Sequence, residues 1–144
     1  MIKFVKSLDC YTTRSCNLVD CLLRVHSSLA EERDCAAHGL DCNILCVAAE
    51  EIFVNICSYA FDGPAPAGEK ILFFFEYSSK VVMRFSDGGK RFDPRVNLPD
   101  TDEYDIDTAV GGLGRLIAFT VADSVDYEYK DGRNILTIVK SIKN

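Results

Sequence analysis

Residues 85–94 read Phe-Ser-Asp-Gly-Gly-Lys-Arg-Phe-Asp-Pro, and they join the end of a strand to a loop. Residues 81–86 alternate in side-chain character with a period of two, which predicts a β-strand that ends near Asp87. A carboxylate there can accept a hydrogen bond from an exocyclic amine such as adenine N6, and Gly89 lets a flat ring approach the backbone. The alternative is an ordinary turn aspartate before glycine, and this stretch alone leaves both interpretations open.

A helix upstream of this stretch carries two polar residues that could belong to the same site. It is predicted over 41–59, with Asp41 as its cap. Its inner stripe consists of four apolar residues: Leu45, Ala48, Ile52 and Ile56. Glu51 and Asn55 are four residues apart, so they lie one above the other on a face offset from that stripe. A carboxamide oxygen can ligate Mg²⁺ and a carboxylate can deprotonate a nucleophile, although a solvated polar face is the alternative.

A glycine cluster lies downstream, where Gly111-Gly-Leu-Gly114 opens an apolar helix predicted over 113–122. Free N–H groups at a helix start bind anions, and glycines let them close on phosphates. No Gly-Lys-Ser/Thr follows, so the cluster is not a P-loop, and its spacing does not fit a dinucleotide fingerprint. Residues 95–110 precede it with five acids, one base and little hydrophobic pattern, which predicts a long acidic loop.

The rest of the chain supplies the strands that complete a sheet. Strands are predicted over 2–8, 71–77, 81–86, 125–129 and 134–142, and helices over 41–59, over 113–122 and in a segment that Ser15 would cap. Residues 71–77 are nearly all apolar, which predicts a strand buried on both faces, and Asp131-Gly132 predicts a two-residue hairpin turn. The expected fold is a two-layer α/β (α+β) sandwich in one domain over 1–144. Its mixed, mostly antiparallel sheet of about five strands is covered on one face by three helices.

Composition narrows the functional classes. Hydrophobic residues make up 48% of the chain and the net charge is −6, which disfavours direct binding to nucleic acid or to an anionic membrane. No segment approaches the ~20 apolar residues of a membrane span, and the N-terminal run does not resemble a signal peptide. We therefore expect a cytoplasmic protein with reduced cysteines. Cys42 and Cys46 have a spacing that can hold a metal, with buried thiols as the alternative.

The order and spacing of the three segments resemble the GHKL ATPases, whose fold is also called the Bergerat fold. Glu51-x-x-x-Asn55 resembles their N box, Asp87-x-Gly89 their first glycine box, and Gly112-x-Gly114, preceded by Gly111, their second. Residues 95–110 fall where that family has its ATP lid. The closer resemblance, over essentially the whole chain, is to the small anti-sigma-factor serine kinases of bacteria.

This resemblance implies a role for each matching residue. Asn55 would ligate Mg²⁺, and Asp87 would bind the adenine N6 amine of ATP or ADP. The nucleotide would be lined by Gly89, Gly111, Gly112 and Gly114. Glu51 would be the general base that accepts the proton of a partner's serine hydroxyl. The implied partners are a STAS-type anti-sigma antagonist, which is phosphorylated, and a sigma factor, which is held; a homodimer is also compatible with the resemblance.

One departure from the family pattern bears on activity. Relatives usually carry Arg or Lys just before the glycine pair, whereas residues 107–110 here read Asp-Thr-Ala-Val, and Arg115 is the nearest cation that could substitute. Two hypotheses therefore stand: a serine kinase, and a nucleotide-gated interaction module that transfers no phosphate. A subunit of another GHKL machine is a weaker third hypothesis, because those proteins need a further domain that this sequence is not expected to contain.

Overall fold

The structure is a computed structural model that describes residues 2–9, 23, 27, 42–62, 66, 68–96 and 119–141. Six regular elements lie in these ranges. They are β1 (Ile2–Asp9), α1 (Cys42–Tyr59), β2 (Lys70–Tyr77), β3 (Lys80–Asp87), β4 (Ser124–Lys130) and β5 (Arg133–Ser141). Each matches a strand or helix that the sequence predicts to within a few residues. Residues 119–121 are also helical, at the end of the helix predicted over 113–122.

The five strands form one sheet in the order β1-β2-β3-β5-β4. All four pairings between them are antiparallel, so the mixed character allowed by the sequence is not present among the described strands. β3 lies at the centre, paired with β2 on one side and with β5 on the other. The predicted α+β class with a mostly antiparallel sheet of about five strands is therefore confirmed.

Helix α1 packs on one face of the sheet and forms the core with it. The predicted stripe is correct for Leu45, Ala48 and Ile52, which are buried, while Ile56 is half-buried. The Phe53 ring makes edge contacts with Phe73 and Phe85, at centroid distances of 5.3 and 5.2 Å. Edge-to-face geometry between aromatic rings adds to the stabilisation from burial alone, so this cluster fixes how α1 sits on β2 and β3.

The prediction that β2 is buried on both faces is wrong. Alternate residues of β2 are buried, but Leu72 is 42% exposed and Phe74 is half-buried on the opposite face. Lys3 and Arg84 lie over the two sides of that face, with their cations 5.5 and 5.2 Å from the Phe74 ring centroid. Among the described residues, charged side chains thus cover this aromatic ring, and a run of apolar residues in the sequence does not distinguish this arrangement from burial against a second layer.

The turn between β4 and β5 follows the sequence prediction. Asp131 and Gly132 have φ angles of 53° and 75°, and Lys130 pairs with Arg133 across them. Left-handed backbone at both central residues is the type I′ geometry, which Asp-Gly adopts at low cost. The turn sets the β4–β5 register and, with it, which residues of β5 face the core.

Several predictions fall outside the described residues. They concern most of the helix that Ser15 would cap, most of the helix over 113–122, the glycine cluster with Arg115, and residues 97–110 of the expected lid.

Candidate functional site

Asp87 is a buried acid at the end of the central strand. It is the last residue of β3, faces the core side of the sheet and is 5% exposed. Its Oδ1 atom accepts a hydrogen bond from the backbone N–H of Gly89 at 2.9 Å and another from Nδ2 of Asn134 at 3.1 Å. Two donors therefore converge on one carboxylate oxygen.

The second carboxylate oxygen gives the site its chemistry. Among the described residues, no group donates a hydrogen bond to Oδ2 of Asp87. Burial raises the pKa of Asp87, and the hydrogen bonds from Asn134 and Gly89, together with the nearby Arg133 guanidinium, oppose that rise. A buried carboxylate oxygen without a partner costs free energy, which a ligand N–H donor can recover. The geometry at Asp87 thus fits recognition of an amine.

Gly89 has a packing reason to be glycine. A Cβ atom at this position would lie 2.5 Å from the Cβ of Ala60 and 2.6 Å from its carbonyl oxygen. The same carbonyl accepts a hydrogen bond from the N–H of Lys90 at 2.9 Å. Ala60 immediately follows α1, so the segment after β3 is fastened directly to the C-terminal end of that helix. The role of Gly89 toward a nucleotide stays a prediction.

Glu51 and Asn55 lie on the helix that covers this end of the sheet. Both are half-buried, whereas the neighbouring Glu50 is exposed. They stand on either side of Phe53 in the chain, and Phe53 contacts Phe85, two residues before Asp87. Because α1 is also fastened at Ala60, its second half runs along β3 toward Asp87. The C-terminal end of α1 therefore lies beside the segment that follows Asp87, and the roles of Glu51 and Asn55 stay predictions.

Asn134 is a polar residue of this region to which the sequence analysis assigned no role in the site. It lies directly opposite Asp87 in the β3–β5 pairing and is 7% exposed. Besides its bond to Asp87, Nδ2 donates to the carbonyl oxygen of Lys90 at 2.9 Å, and Oδ1 accepts from the N–H of Phe92 at 3.0 Å. The hairpin turn fixes which face Asn134 occupies, but no local pattern indicates that β5 lies beside β3.

The start of the expected lid is tied to the sheet. Arg95 donates from Nη2 to Oδ2 of Asp93 at 2.7 Å, and from Nη1 to the carbonyl oxygen of Val125 on β4 at 3.4 Å. The Arg95 side-chain hydrogen bonds lower the pKa of Asp93. The Asp93 carboxylate thus orients Arg95 at the start of the expected lid.

The predicted phosphate-binding residues, Gly111, Gly112, Gly114 and Arg115, lie outside the described residues. Within the part of the chain that the structure describes, no three His, Cys, Asp or Glu side chains gather in a way that could hold a metal. No helix in that part is long and apolar enough to cross a membrane.

Comparison with known proteins relates the chain to protein kinases in sequence and in fold. The chain is similar to the serine-protein kinases RsbW of Listeria monocytogenes serovar 1/2a, at 29% identity over 95 residues, and of serotype 4a, at 28%. Each match covers 62% of this chain and 60% of the relative, so the chain spans about 60% of the length of these curated relatives. The structure of the Acinetobacter baumannii histidine kinase AdeS is similar with a TM-score of 0.50 and 14% identity, over 98% of this chain and 68% of that chain. At that identity the likeness concerns the fold alone.

The family match extends over most of the sequence. Residues 14–140 match the histidine kinase-like ATPase domain, a range that includes every residue of the candidate site. The resemblance to the GHKL ATPases is thereby confirmed, and the RsbW relatives agree with the closer resemblance to anti-sigma serine kinases. The chain belongs to the histidine kinase-like ATPase domain family.

Proposed function

We propose that this protein binds MgATP, phosphorylates a serine of a STAS-type anti-sigma antagonist, and in a second complex holds a sigma factor. One observation carries the nucleotide part of this proposal. Asp87 is buried, accepts hydrogen bonds from the described residues on one carboxylate oxygen only, and lies at the end of the sheet where α1, the helix of Glu51 and Asn55, ends. The family match supports ATP as the ligand, and the RsbW relatives support the serine kinase activity.

The adenine ring of the nucleotide would be recognised at Asp87. The adenine N6 amine would donate to Oδ2, which completes the hydrogen bonding of the carboxylate without displacing Gly89 or Asn134. Guanine presents a carbonyl oxygen at the same ring position, and two acceptors facing one another in a buried site repel. The site should therefore select adenine nucleotides.

The reacting groups would be held by α1. The Asn55 carboxamide oxygen would ligate Mg²⁺, which neutralises charge on the phosphates when it is bound. Glu51 would accept the proton of the partner's serine hydroxyl while the serine oxygen forms a bond to the γ-phosphorus. The bond between that phosphorus and the β–γ bridging oxygen breaks, and ADP leaves. The protein's own contribution is thus position and one proton acceptor, which phosphoryl transfer mainly requires.

The remaining residues of the proposed site are assigned by resemblance. Gly89, together with Gly111, Gly112 and Gly114, would line the nucleotide, and Arg115 would approach the phosphates. Residues 95–110 would form the lid within a single domain over 1–144. We further propose a cytoplasmic location, where a sigma factor would be held, and a homodimer compatible with the partner-switching role.

Calorimetry with MgATP tests nucleotide binding. We expect the unaltered protein to bind and Asn55→Ala to lose binding, because the Mg²⁺ that accompanies the phosphates loses its protein ligand. Ser58→Ala, at an exposed position of the same helix, is the matched control and should bind normally. Absence of heat with ATP and ADP at millimolar concentration in the unaltered protein would refute the proposal.

Transfer is tested separately with γ-³²P-ATP and a candidate antagonist. Glu51→Ala should bind MgATP but transfer no label to serine, whereas Glu50→Ala, at the exposed neighbouring position, should transfer at the normal rate. Full transfer by Glu51→Ala would eliminate Glu51 as the base.

A second candidate function has one observation in its favour. The stretch 95–110 contains five acidic residues: Asp100, Asp102, Glu103, Asp105 and Asp107. Its one basic residue is Arg95, at the end far from Gly111. An acidic lid would hold a triphosphate poorly in a reactive position. The protein would then be a nucleotide-gated interaction module. Nucleotide-dependent partner binding without label transfer, with every antagonist tested, would favour this module over the kinase.

A further inference from the structure

We propose that Asn134 is a positioning residue that orients the Asp87 carboxylate and thereby sets the specificity of the site for a 6-amino purine. The inference rests on the proposed nucleotide function and adds a residue to it. Asn134 lies outside the three segments from which the site was predicted, on a strand 47 residues away from Asp87 in the chain.

The donor side of Asn134 connects the acid with the segment that follows it. Nδ2 lies 3.1 Å from Oδ1 of Asp87, 2.9 Å from the carbonyl oxygen of Lys90 and 3.3 Å from the carbonyl oxygen of Gly89. The two hydrogens of this amide thus bond to three acceptor oxygens, so one hydrogen is shared between two of them. The Asn134 side chain therefore holds both the Asp87 carboxylate and the backbone segment that follows it.

The acceptor side of Asn134 leaves no choice about the orientation of its amide. Oδ1 accepts hydrogen bonds from the backbone N–H of Phe92 and from the Tyr127 hydroxyl. A backbone N–H can only donate, and the carbonyl oxygens of Gly89 and Lys90 can only accept. Rotating the amide by half a turn would place donor against donor and acceptor against acceptor. Nδ2 therefore faces Asp87 for reasons independent of Asp87 itself.

This fixed amide determines which carboxylate oxygen remains for a ligand. Oδ1 of Asp87 takes both protein donors, Asn134 and the N–H of Gly89. Oδ2 is left to point away from them, with no donor among the described residues. Without Asn134 the carboxylate could rotate, and either oxygen could satisfy the N–H of Gly89. Recognition of an amine at a fixed point would then weaken, because the acceptor would no longer be held in one place.

If Asn134 had a purely structural role, a different result would be expected. Two nucleotides that differ only in the purine ring distinguish that role from the proposed one. Purine riboside triphosphate has the same ring system, ribose and phosphates as ATP but lacks the 6-amino group. A general loosening of the site would weaken both nucleotides by the same factor. Loss of carboxylate orientation would weaken ATP alone, because only ATP has the amine that Asp87 accepts.

The test measures dissociation constants of the magnesium complexes of both nucleotides by calorimetry. We expect the unaltered protein to prefer ATP, and Asn134→Ala to bind ATP about tenfold more weakly while the analogue changes less than about twofold. Thr137→Ala is the control, since Thr137 lies on β5 on the opposite face, where its hydroxyl meets Arg84, and it should leave both constants unchanged.

Tyr127→Phe provides a second variant should Asn134→Ala fail to fold. It removes only the hydroxyl that donates to Oδ1 of Asn134, and should reduce the ATP preference about threefold. An unchanged ratio between the two nucleotides in these variants would overturn the role of Asn134 while leaving the proposed function intact. If the unaltered protein bound neither nucleotide, the proposed function itself would fail.

Discussion

Asp87 combines a cost in stability with a proposed use in binding, and its neighbours explain both. Burial raises its pKa from the ordinary value of 3.8, against the hydrogen bonds from Asn134 and Gly89 and the charge of Arg133; Glu69 adds to the rise. A carboxyl whose pKa is higher in the folded protein contributes stability only while it is protonated. That contribution is complete below 3.8 and is lost as pH rises through the raised pKa. The ionised form of Asp87 is therefore less favourable in the folded protein than in the unfolded chain.

Asp87→Asn should separate stability from binding. The amide oxygen can still accept from Gly89 and Asn134, so we expect the free energy of unfolding at pH 7 to be unchanged or up to about 1 kcal/mol higher. MgATP binding should be lost, because the amide nitrogen would face the adenine amine. Urea unfolding and calorimetry measure the two effects.

The pH dependence adds a check on this prediction. Any gain in stability of Asp87→Asn should disappear as pH falls below the raised pKa, where the wild-type carboxyl is itself neutral. A variant that is destabilised by several kcal/mol at pH 7 would show that the charge of Asp87 supports the fold.

Gly89 and Gly88 are adjacent glycines that should respond differently to alanine. At Gly89 a Cβ would collide with the Ala60 backbone, which cannot move without shifting the end of α1, so we expect a loss of about 1–3 kcal/mol. At Gly88 the nearest atom is Oε1 of Glu69, at 2.5 Å, on a side chain that can turn aside. Urea unfolding compares the two variants, and equal losses would contradict the packing role of Gly89.

The packing of α1 on the sheet determines the positions of Glu51 and Asn55. It includes the aromatic cluster of Phe53, Phe73 and Phe85, in which the two rings from the sheet are 5.1 Å apart, and the hydrogen bond from Lys90 to the Ala60 carbonyl. An 18-residue helix held near its middle and at its end cannot rotate about its axis without losing one contact. The element therefore presents its polar residues in one orientation.

Phe53→Ala should damage this element strongly. Removing a fully buried ring that contacts two others leaves a cavity, and we expect a loss of about 3–5 kcal/mol in the free energy of unfolding. Val47→Ala, which removes an apolar side chain that is 50% exposed on the same helix, should change stability by less than about 0.5 kcal/mol. Urea unfolding measures both variants. A small loss for Phe53→Ala would mean that the helix is not held by this cluster.

The whole molecule carries a net charge of −6, and five acids are concentrated between residues 95 and 110. Free ATP is itself an anion, so the field of the protein opposes its approach, while the magnesium complex carries less charge. We expect ATP affinity to fall at least about tenfold when EDTA replaces Mg²⁺, as calorimetry would measure. Replacing Asp102 and Asp105 together by Asn should reduce this dependence. Equal affinity in EDTA for the unaltered protein would contradict the electrostatic argument.

Local patterns in the sequence were sufficient for the elements and for the order of the candidate residues. The alternation over 81–86, the helical spacing of Leu45, Ala48 and Ile52, and Asp131-Gly132 each predict an element that the structure contains. These signals come from neighbours in the chain, whose periodicity and turn preferences act over a few residues. The family resemblance also rested on such short segments.

Contacts between distant segments required the folded chain. β5 lies between β3 and β4, which brings Asn134 against Asp87. α1 ends against Gly89, where the contact with Ala60 leaves no room for a side chain. The one-sided burial of β2 likewise depends on which face another layer covers. Periodicity states which residues share a face, but it does not state what that face meets. The pairing of strands and the docking of the helix settle that question, through burial and hydrogen bonds between residues far apart in sequence.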